Sequence, residues 1–117
     1  MRTETAILKN LLLNEDYTRK VLPFLKIDYF TEHADKTIYD KINDFVIKYN
    51  SLPSKEALVI ELSETKMNEE EFKESMELLD AINSDSEDYT DLKWLLDTTE
   101  KFCQDKAIYN AVVESIS

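Results

Sequence analysis

A chain of 117 residues is long enough for one domain with its own core, and this one builds it without a single glycine. Glycine supplies the positive φ that hairpin turns, bulges and phosphate-cradling loops need. Its absence argues against β and phosphate-loop architectures together, and for an all-α fold whose helices meet at Asn, Ser and Pro corners. With 25 acids against 14 bases, a net charge of −11, the chain lacks the cationic excess by which duplex-binding modules displace counterions. The acidity reads either as a solvated, solubilising surface or as a mimic of DNA.

In chain order, Ile7, Leu8, Leu11 and Leu12 form a one-sided stripe that predicts a first helix ending at Asn14. Asn14, Glu15 and Asp16 then start a short second helix carrying Tyr17, Val21 and Leu22. Pro23 has no N–H to donate and disfavours αR in the residue before it, so this helix should stop or kink near Leu22. The apolar run continues through the corner, where Phe24, Leu25, Ile27 and Phe30 read as the underside of a buried turn and Asp28 opens a short helical turn. From about Thr31 to Asn50 the spacing of Ile38, Ile42, Phe45, Val46 and Tyr49 predicts a strongly amphipathic helix. Asn50-Ser51-Leu52-Pro53-Ser54 is a stop followed by a start, with Ser54 as N-cap of a helix carrying Leu58 and Leu62. Asn68-x-x-Glu71 has the form of a capping box before a helix with core positions Phe72, Met76, Leu79 and Ile82. The acidic stretch from Ser84 to Asp91 is expected to be a loop that feeds negative charge to the start of a last helix, beginning near Tyr89 or Asp91. The expected organisation is a helical globule over residues 1–90 and a long helix over 91–117.

The last helix changes face. At about 100° per residue, Leu92, Leu95, Leu96, Phe102 and Cys103 share one arc, with Thr99 among them. Ile108, Tyr109, Val112, Val113 and Ile116 fall on another, roughly a third of a turn or more away. These five are the candidate residues of a partner or oligomer interface. The competing reading is a break near Gln104-Asp105 that folds the end back onto the same core. Trp94, opposite the Leu92–Leu96 side, is either a second packing face or an exposed interface anchor.

Little in the sequence supports catalysis. The one histidine, His33, reads as a surface residue near a helix start; Glu32 beside it faces elsewhere. The one cysteine, Cys103, lies on the apolar arc as a small hydrophobe, and a lone cysteine fits a reducing compartment, here the cytoplasm. Asp85 and its acidic neighbours fail as a calcium loop, since the sixth and twelfth positions counted from Asp85 hold Thr90 and Leu96 instead of glycine and glutamate. No cofactor or metal site is expected. The N-terminal MRTETAILKN has too short an apolar core for a signal peptide, and no apolar run is long enough to span a membrane.

The segment AILKNLLLNEDYTRKVLPFLKIDYFTEHADKTIYDKINDFVIKYNSLPSKEAL resembles the N-terminal domain of DnaB-type replicative helicases. The resemblance runs through Leu11-Leu12, the corner Val21 to Leu25, Tyr29-Phe30, His33 with Ile38-Tyr39 and Ile42, and Leu52-Pro53. The later TTEKFCQDKAIYNAVVESI resembles that family's long helix after the globular part. The Pro53 to Leu58 variant looks most like the branch in T4-like phage primosomes. The resemblance implies a compact orthogonal bundle of about six helices, ending in a long helix that begins a truncated helical hairpin. It implies a non-catalytic collar that supports hexamer assembly, as a trimer of dimers in closed rings, and that docks primase and a helicase loader. ATP and Mg would belong to a following motor domain. A free-standing acidic phage protein that inhibits a host DNA-binding enzyme by mimicry is the alternative.

Overall fold

The computed structural model describes residues 2–83 and 91–116. Within them the chain forms α1 (Thr3–Leu13), α2 (Glu15–Val21), two 3-10 turns (Leu22–Phe24 and Ile27–Tyr29), α3 (His33–Tyr49), α4 (Lys55–Glu64), α5 (Glu69–Ile82) and α6 (Leu92–Ile116), with no strand among the described residues. The all-α bundle expected from the composition is what forms. α3 packs against α1, α4 and α5, while α6 lies across α2, α1 and the second 3-10 turn. The expected loop from Ser84 and the acidic cluster at Asp85 fall at positions 84–90, outside the described residues.

Asparagine and serine make the corners that glycine makes elsewhere. Asn14 closes α1 with its N–H on the Asn10 carbonyl, and its side chain accepts the Tyr17 N–H at 3.1 Å to open α2. The Thr18 hydroxyl, fully buried, is within bonding distance of the Leu11 carbonyl (2.8 Å) and the Asn14 carbonyl (2.9 Å), which clamps that corner. Asn50 ends α3 in the left-handed region at φ 52°, a conformation that asparagine tolerates better than most residues. Arg19 reaches over from α2 to donate to both the Asn50 side chain and its carbonyl, at 3.0 Å each, placing a cation at the negative end of α3. Ser54, Asn68 and Asp91 cap α4, α5 and α6 by accepting the N–H groups of Ala57, Glu71 and Trp94. The capping box at Asn68 is only half built, because the Glu71 carboxylate points to His33 at 3.5 Å.

Pro23 acts as its chemistry requires: α2 ends at Val21 and the chain continues as tight turns. The expectation of a wholly buried corner needs correcting. Leu25, Tyr29 and Phe30 are buried, but Phe24 is 70% exposed and Ile27 40%. With about three residues per turn, each short 3-10 element directs only part of its apolar set inward. Phe30, with no exposed surface, stacks on Tyr39 (centroids 5.1 Å apart) and meets Phe102 of α6 at 5.7 Å. The Tyr39 hydroxyl donates to the Leu25 carbonyl at 3.0 Å. The corner therefore joins α3 to α6.

Two predicted stripes shift. On α3 the inward face is Ala34, Asp35, Ile38, Tyr39 and Ile42; Phe45 and Val46 are half-buried, and Tyr49 is exposed against Phe45 as the helix leaves the globule. On α5 the buried set is Ser75, Leu78, Leu79 and Ile82, with Phe72 and Met76 only partly covered. The fully buried Ser75 hydroxyl has no hydrogen-bond partner among the described residues.

A second buried polar contact crosses the molecule. Tyr17 of α2 and Thr99 of α6 share a 2.6 Å hydrogen bond between their hydroxyls. Burial pushes the Tyr17 pKa up to about 12, since the phenolate would lose its hydration. Replacing Tyr17 with phenylalanine should cost about 1–3 kcal/mol in urea melts, because Thr99 is left buried without its partner. The pH dependence has a definite sign. The folded state holds the Tyr17 proton above the ordinary value of 10, so stability present below pH 10 falls as pH rises from 10 towards 12. The phenylalanine variant should lose part of that alkaline sensitivity.

Candidate partner-binding face of the last helix

α6 runs unbroken from Leu92 to Ile116, which disposes of the predicted alternative of a break near Gln104-Asp105. Its first half is docked. Leu95, Thr99 and Phe102 are buried, and Leu92, Leu96 and Cys103 pack at the core margin. The helix is held at a second point further along, where the Asn110 side-chain amide donates to the Asp28 carbonyl at 3.1 Å. This long-range bond was not legible in the sequence, where Asn110 is one polar residue between apolar ones.

The five residues singled out on the downstream arc are exposed: Ile108, Tyr109, Val112, Val113 and Ile116, from 44% at Val113 to 78% at Ile116. They share one side of α6 beyond the point where the globule covers it. Trp94 is exposed as well. It precedes Val112 by 18 residues, about five full helical turns, so the two point the same way. The exposed side of α6 thus carries apolar groups at both ends, while Lys101 and Asp105, paired at 3.7 Å, occupy the middle.

Two clefts flank the helix. One, of about 720 Å³, lies between α6 and the α2 corner, with Val21, Tyr29, Leu96 and Cys103 among its lining and Phe24 at its edge. The other, of about 470 Å³, lies against the start of α1 and includes Phe102, Lys106 and Tyr109.

His33 is the first residue of α3 and exposed, with Thr37 and Glu71 nearby; it lines a separate cleft beside Arg2 and Glu74. Cys103 lines the cleft between α2 and α6, and burial pushes its thiol pKa up, which suppresses the thiolate. The two residues open onto different clefts, so they do not form a nucleophile–base pair. Among the described residues no group of three or more His, Cys, Asp or Glu side chains is arranged to hold a metal ion. No helix among them is long and apolar enough to cross a membrane.

What sequence reasoning missed most clearly is an ion pair at the chain start. Asp35, in the first turn of α3, is fully buried and accepts hydrogen bonds from the two terminal guanidinium nitrogens of Arg2, at 2.9 and 3.1 Å. Glu4 and Glu32 stand 3.5 and 3.4 Å from the same group.

No family model matches the chain. Among curated proteins it is similar to the DnaB-like replicative helicase of Enterobacteria phage T4, at 31% identity over 110 residues. That match covers 94% of this chain and 22% of the helicase, so the chain spans about a fifth of its relative's length. The chain, with its order of motifs from Leu11-Leu12 to Leu52-Pro53, thus matches a fragment of that helicase.

Proposed function

We propose that this chain is the N-terminal collar domain of a phage replicative helicase, a non-catalytic module that supports hexamer assembly and primase docking in the host cytoplasm. The observation that carries the reading is the similarity to the phage helicase along nearly the whole chain. The structure is in keeping with it: a closed helical globule extends a helix whose outer end presents Ile108, Tyr109, Val112, Val113 and Ile116 to solvent. Exposed apolar clusters of this kind are surfaces on which proteins assemble. Other helicase subunits are the first partners to expect there, with primase and a helicase loader as further ones. ATP and Mg would act in a motor domain elsewhere in the longer protein. The mimicry reading rests on net charge alone and explains neither the similarity nor the exposed apolar face.

The isolated chain is expected to hydrolyse no ATP and to bind single-stranded DNA no better than high micromolar at about 150 mM salt, given its acidic excess. Anisotropy of a labelled oligonucleotide and a coupled ATPase assay measure both. Low-micromolar DNA binding or turnover by the chain alone would overturn the collar reading.

A further inference from the structure

We propose that α6 beyond Cys103 is an arm that switches between a latched and a released state, and that the hydrogen bond from Asn110 to the Asp28 carbonyl is the latch. The device is intrinsic to the chain and holds whatever the outer face of α6 binds. On the docked half of the helix, the residues turned to the globule are Leu95, Thr99 and Phe102, with Cys103 at the core margin. At about 100° per residue the same face next reaches Lys106 and then Asn110. Both are half-buried, while residues 107–109 and 111–116 are exposed. The inward face therefore turns from largely apolar to polar as the helix leaves the core. Lys106 closes the edge of that core, its ammonium 5.8 Å from the centroid of the Phe102 ring on its own helix. Asn110 reaches off the helix to another element.

The corner supplies a ready acceptor. The second 3-10 turn closes with the Tyr29 N–H on the Lys26 carbonyl and the Phe30 N–H on the Ile27 carbonyl, which leaves the Asp28 carbonyl to accept from Asn110 at 3.1 Å. That turn is firmly seated. Phe30 lies between Tyr39 and Phe102, and the Tyr39 hydroxyl holds the Leu25 carbonyl. The latch thus ties the arm, through the corner, to α3. Its bond is exposed, so water can replace either partner, and such a bond favours the closed state only about two- to tenfold. An isolated helix shorter than about 12–15 residues is marginal in water, and the part of α6 beyond Cys103 is no longer than that. Release is therefore felt as fraying of the arm. Latching gives the apolar face at Ile108, Tyr109, Val112 and Val113 one direction relative to the globule; release removes it.

The test uses a conflict of sign. Asn110→Ala and Asn110→Leu both remove the donor, and both put a better helix former in place of asparagine. If Asn110 were only a helical residue, either change would tighten the arm and slow its amide exchange. If it is the latch, either change loosens the arm. Amide hydrogen exchange resolved by NMR, on the unmodified chain and the two variants, reads the difference residue by residue. Amides of residues 108–113 should exchange about two- to tenfold faster in both variants, and those of residues 95–102 should be unchanged. Unchanged or slower exchange over 108–113 in either variant would overturn the proposal. Faster exchange over 95–102 to the same degree would overturn it too, because Asn110 would then be holding the whole domain together and not an arm.

Discussion

Phe102→Ala should destabilise the chain by about 3–5 kcal/mol, whereas Val113→Asp should change its stability by less than about 1 kcal/mol. The two residues sit on one helix, eleven positions apart, in different environments. Phe102 is 7% exposed and meets Phe30, the ring that also stacks on Tyr39. Truncation there removes buried area and leaves a cavity where the corner, α3 and α6 converge, in a core with no glycine hinge to collapse around it. Val113 is 44% exposed beyond the globule, so an introduced carboxylate can stay in water. Urea melts of the two variants give the comparison. If Val113→Asp unfolds the chain as badly as Phe102→Ala does, the outer end of α6 belongs to the domain's own core.

Arg2→Ala is the second large effect, expected at about 1–3 kcal/mol. Breaking a buried ion pair by removing one partner costs about 3–5 kcal/mol, because the remaining charge is stranded. Here the carboxylate of Asp35 is wholly buried, but the Arg2 side chain is 42% exposed, so the figure is discounted for solvent screening. Arg2→Ala combined with Asp35→Asn should cost clearly less than the sum of the single changes, since the double variant strands no charge. Additive costs would show that the pair is not coupled. The same substitution should free the start of α1 from α3, which hydrogen exchange over residues 3–6 would register as faster exchange.

Much of this architecture was legible because it is local. A cap needs a side-chain oxygen three residues before an orphan N–H, and Asn14, Ser54 and Asn68 stand at such places in the chain. Pro23 stops a helix through its own ring. The change of face along α6 follows from helical period alone, and the exposure of Ile108 to Ile116 agrees with it. What was illegible depends on neighbours brought in from afar. An aspartate in the first turn of a helix reads as solvated charge at a positive dipole end, and only the approach of Arg2, 33 positions away, allows Asp35 to be buried. Tyr17 and Thr99 are 82 positions apart, and nothing in either sequence context marks their bond. Ser75 occupies a core position on α5 that a count of apolar residues passes over. Phe24 departs from expectation for the opposite reason: a hydrophobic side chain need not be buried, and the tight geometry of the corner turns this ring outward.

The proposed role of the outer face of α6 as an assembly surface in a longer helicase is tested most directly by sedimentation of that helicase carrying Val113→Asp. Unmodified protein should run as a hexamer, and the variant as smaller species at the same concentration, because assembly would bury the new carboxylate against apolar side chains. Hexamers that form equally well with Val113→Asp, and again with Val112→Asp, would show that this face takes no part in assembly.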